Sequence, residues 1–201
     1  MTNRFAALPL IYLVRHGETD WNAERRLQGQ ADTDINEKGR LQADRNGARL
    51  AGLIRDAADF DFVASPLRRT RETMERVRLA IGLPRDGYAT DPRLVEVHFG
   101  DWQGRTLPEL EAAQSGSVEA RERDKWNFRP PGGAAESYDG LSDRALPFFE
   151  TLVRPTICVT HGGVIRCVLR QVQQMDDQAA ANIDIPQDRI LRVENGRAEW
   201  L

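Results

Sequence analysis

The stretch Leu8-Pro9-Leu10-Ile11-Tyr12-Leu13-Val14 is a nearly continuous apolar run, followed at once by Arg15-His16-Gly17-Glu18-Thr19. A short run of branched and aromatic residues without alternation is the pattern of a strand buried on both faces. Such strands belong to parallel sheets covered by helices, and the residues beyond the run bear this out. Glu37 to Ile54 has helical spacing with Asn36 placed as an N-cap. Phe60 to Ala64 is a second short strand. Pro66 to Ile81 is a helix with Ser65 as N-cap, Pro66 in the first turn and Gly82 past its end.

Leu94 to Phe99 has the pattern of a third strand, and Gly100 to Asp139 is irregular. Gly140 to Val153 is helical. Pro155 to Thr160 is a fourth strand, with the helix Gly163 to Gln173 behind it. Asn195-Gly196 lies between Ile190-Leu191-Arg192-Val193 and Ala198-Glu199-Trp200-Leu201, the signature of a hairpin turn. Strands alternating with helices predict an α/β class fold, a three-layer α/β/α sandwich with a largely parallel central sheet. With no repeat or linker, residues 1–201 are expected to form a single domain.

Composition narrows the partners. There are 28 basic and 31 acidic residues, a net charge of −3, so the chain lacks the basic footprint of a nucleic-acid binder. No apolar run approaches the length that a membrane-spanning helix needs. The N-terminus reaches Leu8 with one arginine and no apolar leader. Two cysteines, Cys158 and Cys167, suit a reducing compartment, and a cytoplasmic location is expected. The oligomeric state is left open by the sequence.

Arg15-His16 follows the first strand, Ser65-Pro66-Leu67-Arg68-Arg69 the second, and His161-Gly162-Gly163 the fourth. Ligands of open α/β sheets sit outside the carboxyl ends of the strands, so these three groups converge on one mouth. Arginines offer forked donors to phosphate oxygens, and glycine amides opening a helix add further anion donors. A phosphoryl site is the expectation.

The blocks Arg15-His16-Gly17-Glu18-Thr19-Asp20-Trp21-Asn22, Leu27-Gln28-Gly29, Asn36-Glu37-Lys38-Gly39, Ser65-Pro66-Leu67-Arg68-Arg69-Thr70, Leu94 to Gly104 and Val159 to Arg166 resemble, in order, those of the histidine phosphatase superfamily. The resemblance implies the phosphoglycerate mutase-like fold, and it implies that His16 is a nucleophile forming a phosphohistidine. Arg15, Arg69 and His161 resemble the rest of the phosphate pocket, and Glu96 resembles the general acid. Asn22 and Gln28 resemble further phosphate contacts, with Gly162 supplying an amide. Glu18 and Thr19 are expected to brace the loop, and Trp21 and Trp102 to pack.

In an extended strand Glu96 and His98 point the same way, which puts His98 either at the pocket rim or in packing. Arg68, Arg71, Arg76 and Arg78 are expected on a solvated helix face. A lid is expected over roughly residues 105–138, where Arg123, Lys125, Trp126 and Arg129 are substrate contacts or solvent-facing loop residues. Phosphatase relatives carry Pro-x-Gly-Glu-Ser after the lid, whereas this chain has Pro131-Gly132-Gly133-Ala134-Ala135-Glu136-Ser137.

The function expected is hydrolysis of a small phosphorylated metabolite, without metal or cofactor. A cofactor-dependent phosphoglycerate mutase is the alternative. Mutases of the family carry a longer insert between the acid and the second histidine, and Gly100-Asp101-Trp102 resembles the phosphatase branch. A non-catalytic phospholigand-binding protein is a third possibility, one expected to have lost a histidine or the acid, and His16, Glu96 and His161 are all retained.

Overall fold

A computed structural model describes residues 5–201, so the leader reading for residues 1–4 lies outside the described residues. Among these residues six strands form one sheet: β1 (Ile11–Arg15), β2 (Asp61–Ala64), β3 (Ala89–Thr90), β4 (Thr156–Thr160), β5 (Ile190–Glu194) and β6 (Arg197–Trp200). Their order is β3-β2-β4-β1-β5-β6. The first four run parallel, and β5 and β6 close the sheet antiparallel. Asn195 and Gly196 both take positive φ, 51° and 70°, as the tight turn between β5 and β6 requires.

The helices are α1 (Asp20–Ala23), α2 (Glu37–Leu53), α3 (Arg68–Ala80), α4 (Leu107–Ala113), α5 (Ser117–Arg123), α6 (Tyr138–Glu150), α7 (Gly162–Gln173) and α8 (Asp177–Asn182). Successive strand residues point to opposite faces, and this alternation builds two cores. Ile11, Leu13, Val63 and Cys158 pack with Leu141, Ala145, Val164 and Val168 of α6 and α7. Tyr12, Val14, Phe62, Ile157 and Val159 pack with Leu50 of α2 and with Met74 and Val77 of α3. Each such fully buried side chain contributes about 1.5–3 kcal/mol relative to exposure. The fold is the three-layer sandwich, and both faces of β1 and β4 are covered.

Four local expectations are corrected. Leu94–Phe99 is not a strand: Pro92–Leu94 is a single 3-10 turn and the residues that follow have no sheet partner. Side chains hold that segment instead. Arg144 donates to the carbonyls of Arg93 and Val95 at 2.9 Å and of Glu96 at 3.2 Å, and Thr160 Oγ1 donates to Leu94 O at 2.9 Å. The third strand is the two-residue β3. Secondly, α3 starts at Arg68 and Ser65 does not cap it; the cap position is Leu67, with no side-chain bond. Thirdly, Gly100–Asp139 contains α4 and α5, each with a full turn, and α6 opens at Tyr138 with Ser137 capping Gly140 N. Fourthly, Arg78 is not on the solvated face. It is buried over the Phe62 ring, and its Nε donates to Pro84 O at 2.9 Å.

Candidate active site

Strand register assembles the site. Arg15 pairs with Thr160, His16 N donates to Thr160 O at 3.0 Å, and Ser65 N donates to Val159 O at 3.0 Å. The residues just beyond β1, β2 and β4 are therefore held side by side. His16 and His161 come within 5.2 Å, ring centre to ring centre, at 60°.

The loop after β1 is braced from α2 and α3. A methyl on Gly17 would stand 2.3 Å from the Gly39 carbonyl oxygen, so backbone meets backbone there and only glycine fits. Gly17 N donates to Thr73 Oγ1, and Glu18 N to Gln42 Oε1 at 2.8 Å. The Glu18 carboxylate takes Lys38 Nζ at 2.7 Å and Asn36 Nδ2 at 3.2 Å. Thr19 and Asn22 form a capping box on α1. Glu18 and Thr19 thus sit where a bracing role requires.

His16 is 3% exposed, and its Nδ1 donates to Gly17 O at 2.8 Å. That bond puts the proton on Nδ1 and leaves Nε2 with its lone pair. Burial, then Arg69 and Arg15, hold the imidazole well below its usual range, so it is neutral near pH 7. His161 is fully buried, with Nε2 against Ser65 Oγ at 2.8 Å, and is depressed in the same way by burial and Arg69. Ser65 Oγ is thus the partner of His161, and Ser65 stands two residues before the Leu67 cap position of α3.

Arg69 is fully buried, and its NH1 and NH2 donate to Ala31 O and Gly29 O, both at 2.7 Å. Burial lowers it to about 10, so it is cationic at neutral pH. Arg15 NH1 donates to Ile185 O at 2.6 Å. Six buried side-chain polar atoms lack a hydrogen-bond partner among the described residues, and Arg15 Nε, Arg69 Nε and His161 Nδ1 are three of them. Buried polar groups are nearly always paired, so three orphans around one imidazole mark a place built for oxyanion acceptors.

The cavity there is about 190 Å³ and is lined by Arg15, His16, Asn22, Gln28, Arg69, Glu96 and Gly162, among others. His161 is outside that lining, with its ring edge-on to His16. Wider hollows of about 440 and 610 Å³ lie on the β5–β6 hairpin and at the α7–α8 junction, and neither contains a histidine. The Glu96 carboxylate accepts Val97 N at 2.9 Å and Gly163 N at 3.1 Å. A methyl on Gly163 would overlap it at 2.1 Å from Oε1. Asn22 Oδ1 takes Thr19 N and Gln187 Nε2, and Gln28 Oε1 takes Thr33 Oγ1, which leaves their amide NH2 groups for a ligand.

His98 is not at the rim: its Nδ1 accepts Gly100 N at 2.9 Å, and Phe99 lines the cavity instead. Of the lid residues, Lys125 reaches the cavity. Trp126 is core, Arg123 pairs with Glu119, and Arg129 Nε donates to Ala135 O. Trp102 packs on Phe128, centroids 5.1 Å apart. Despite the two extra alanines, Glu136 is well held, with Arg144 across both oxygens at 2.9 and 2.8 Å and His98 N at 3.0 Å. Sequence reasoning missed Arg121, Arg166 and Tyr138 in the lining, Gln187, which donates to His16 O at 3.1 Å, and Arg144. Among the described residues, no group of three or more His, Cys, Asp or Glu side chains is placed to hold a metal ion, and no helix is long and apolar enough to cross a membrane. Cys158 and Cys167 are free and buried.

A parallel-sheet sandwich whose strand ends present a buried neutral histidine and an oxyanion cradle defines an α/β enzyme of phosphoryl chemistry. The profile of the histidine phosphatase superfamily (branch 1) matches residues 11–201, and the chain belongs to that superfamily as a phosphatase. It is 37% identical over 167 residues to glucosyl-3-phosphoglycerate phosphatase of Mycolicibacterium vanbaalenii, covering 77% of this chain and 70% of that one. It is 34% identical over 197 residues to probable phosphoglycerate mutase GpmB of Erwinia tasmaniensis, covering 95% and 87%. Among solved structures, the mycobacterial glucosyl-3-phosphoglycerate phosphatase in complex with VO3 superposes with a TM-score of 0.76 at 29% identity, covering 92% of each chain.

Proposed function

We propose that the chain is a metal-independent phosphomonoesterase that acts on a small phosphorylated metabolite through a phosphohistidine on His16. The observation that carries this reading is the trio of orphaned buried donors around a neutral imidazole with a free Nε2. In the first step the Nε2 lone pair forms the N–P bond as the ester P–O bond breaks, and the Glu96 carboxyl gives its proton to the leaving oxygen. In the second step Glu96 takes a proton from water, the P–O bond to water forms and the N–P bond breaks. Arg15, Arg69 and His161 hold the equatorial oxygens, each donor of this kind being worth about 2.7–4 kcal/mol. Asn22, Gln28 and the Gly162 amide add ground-state contacts. Residues 105–138 act as the lid of one catalytic domain. The free, buried cysteines support a cytoplasmic location.

Hydrolysis of p-nitrophenyl phosphate in the presence of EDTA, lost in His16→Ala, is the expected result. A requirement for magnesium, or activity that survives without His16, would overturn the mechanism. The GpmB relatives favour a second reading, a phosphoglycerate mutase. Conversion of 3- to 2-phosphoglycerate outpacing phosphate release in the presence of 2,3-bisphosphoglycerate would establish it.

A further inference from the structure

Glu96 sits on a segment that, among the described residues, has no sheet partner. Its carboxylate rests on Gly163 N at 3.1 Å, but its main chain gains nothing from the sheet. A proton donor displaced by about 1 Å can cost on the order of 100-fold in rate, so something else must fix that main chain.

One guanidinium does so. Arg144, on α6, has five N–H donors, and all five are placed. NH1 donates to Arg93 O and Val95 O, both at 2.9 Å, and NH2 to Glu96 O at 3.2 Å. Nε and the second NH2 donor go to the two oxygens of Glu136, at 2.9 and 2.8 Å. Three carbonyls within four residues therefore converge on one planar fork that has no spare donor.

Glu136 closes the other side. Its Oε2 accepts His98 N at 3.0 Å, and its own backbone N donates to His98 O at 2.8 Å. Gln30 Nε2 spans Glu96 O at 3.0 Å and Glu136 Oε2 at 3.4 Å. Gln30 stands between Gly29 and Ala31, whose carbonyls hold Arg69. The same short stretch thus sets the cradle arginine and, through one amide, the main chain of the acid. The charges of Arg144 and Glu136 neutralise each other, and neither residue lines the phosphoryl cavity, which leaves placement as what they supply.

We propose that Arg144, Glu136 and Gln30 are positioning residues for the general acid. The ion pair holds the Glu96 main chain, and Gln30 sets its distance from the cradle. The proposal rests on the acid role of Glu96 given above. It is tested by kcat/KM for glycerol 3-phosphate, whose leaving oxygen needs a proton, and for p-nitrophenyl phosphate, whose leaving group needs little. Arg144→Lys keeps the charge and loses the fork, and Glu136→Gln replaces an acceptor oxygen with an NH2 group. Each should lose at least tenfold on the alkyl ester and less than about threefold on the aryl ester. Gln30→Met should change the ratio in the same sense, by at least threefold. It alters a half-buried side chain and carries the test should the ion-pair variants not fold, as judged by far-ultraviolet circular dichroism. Placed in Glu96→Ala, the same substitutions should move neither ester by more than about twofold, since no acid is left to place. Equal losses on the two esters in folded variants, or undiminished losses in the Glu96→Ala background, would overturn the proposal and leave Glu96 as the acid. If Glu96→Ala itself lowers both esters alike, the acid role falls and the proposal with it.

Discussion

Acidifying the protein from pH 7.5 to 5.5 strains the pair of imidazoles at the heart of the site, and the cost follows from their burial. His16 is 3% exposed and His161 fully buried, and both are held well below the usual histidine range by burial first and then by Arg69. In the unfolded chain each titrates near about 6.5. A folded value below the unfolded one means that the stabilisation is fully present above about pH 6.5 and is lost as pH falls towards the folded value. Within that window the unfolded state binds one extra proton per histidine. Two such rings together lose on the order of 3 kcal/mol between pH 7.5 and 5.5. The result does not depend on how far below the window the folded values lie. Urea unfolding followed by tryptophan fluorescence, in phosphate-free buffer, measures it. Substitution by glutamine at either position should remove part of the loss, and the double variant nearly all of it. His98 and the carboxylates are common to every variant and cancel. Equal acid sensitivity of the wild type and the double variant would refute the assignment of two buried neutral rings.

Three substitutions probe the framework. Gly163→Ala sets a methyl 2.1 Å from Glu96 Oε1 and forces the carboxylate off the α7 amide. Turnover of glycerol 3-phosphate should fall about 100-fold, the scale of a lost general acid, and that of p-nitrophenyl phosphate much less, since its leaving group needs little protonation. Equal losses on the two esters would deny Glu96 the acid role. Gly17→Ala pushes a methyl against the Gly39 carbonyl, backbone on backbone, and should lower the urea-derived stability by about 3 kcal/mol. Ser65→Ala removes the partner of His161 Nε2 and should cost about 1–3 kcal/mol in the same assay. It should also weaken orthophosphate binding in a calorimeter, and an unchanged affinity would show that Ser65 does not orient the ring.

The buried strands were readable because their residues are apolar on both faces, and the hairpin because Asn195-Gly196 has few other uses. The segment Leu94–Phe99 misled because its apolar spacing is that of a strand, while the groups that satisfy its backbone, Arg144 and Glu136, lie dozens of residues away. Ser65 misled for a related reason: a serine before a helix is a good local cap, but here the helix starts two residues later and the hydroxyl meets His161, just past β4. The family motifs led to Arg15, His16 and His161 at the ends of β1 and β4, to Arg69 in the first turn of α3, and to Glu96 in the loop that follows β3. Arg121 and Arg166 are ordinary helical arginines in a chain rich in them, and only the folded packing of α5 and α7 around Tyr138 separates them from the surface set.

The parallel pairing of β1 with β4 joins Arg15 to Thr160 across nearly three-quarters of the chain. Arg15 is also tied to Ile185 O, and the His16 carbonyl to Gln187. Contacts so remote in sequence form late and slow folding, because the loop between them must close first. During synthesis the histidine nearer the N-terminus leaves the ribosome early and has no cradle until residues past 187 have followed. A growing chain is therefore expected to hold no phosphate until its sheet is complete. Phosphate or vanadate supplied during refolding should speed none of the early steps and should trap only the last one.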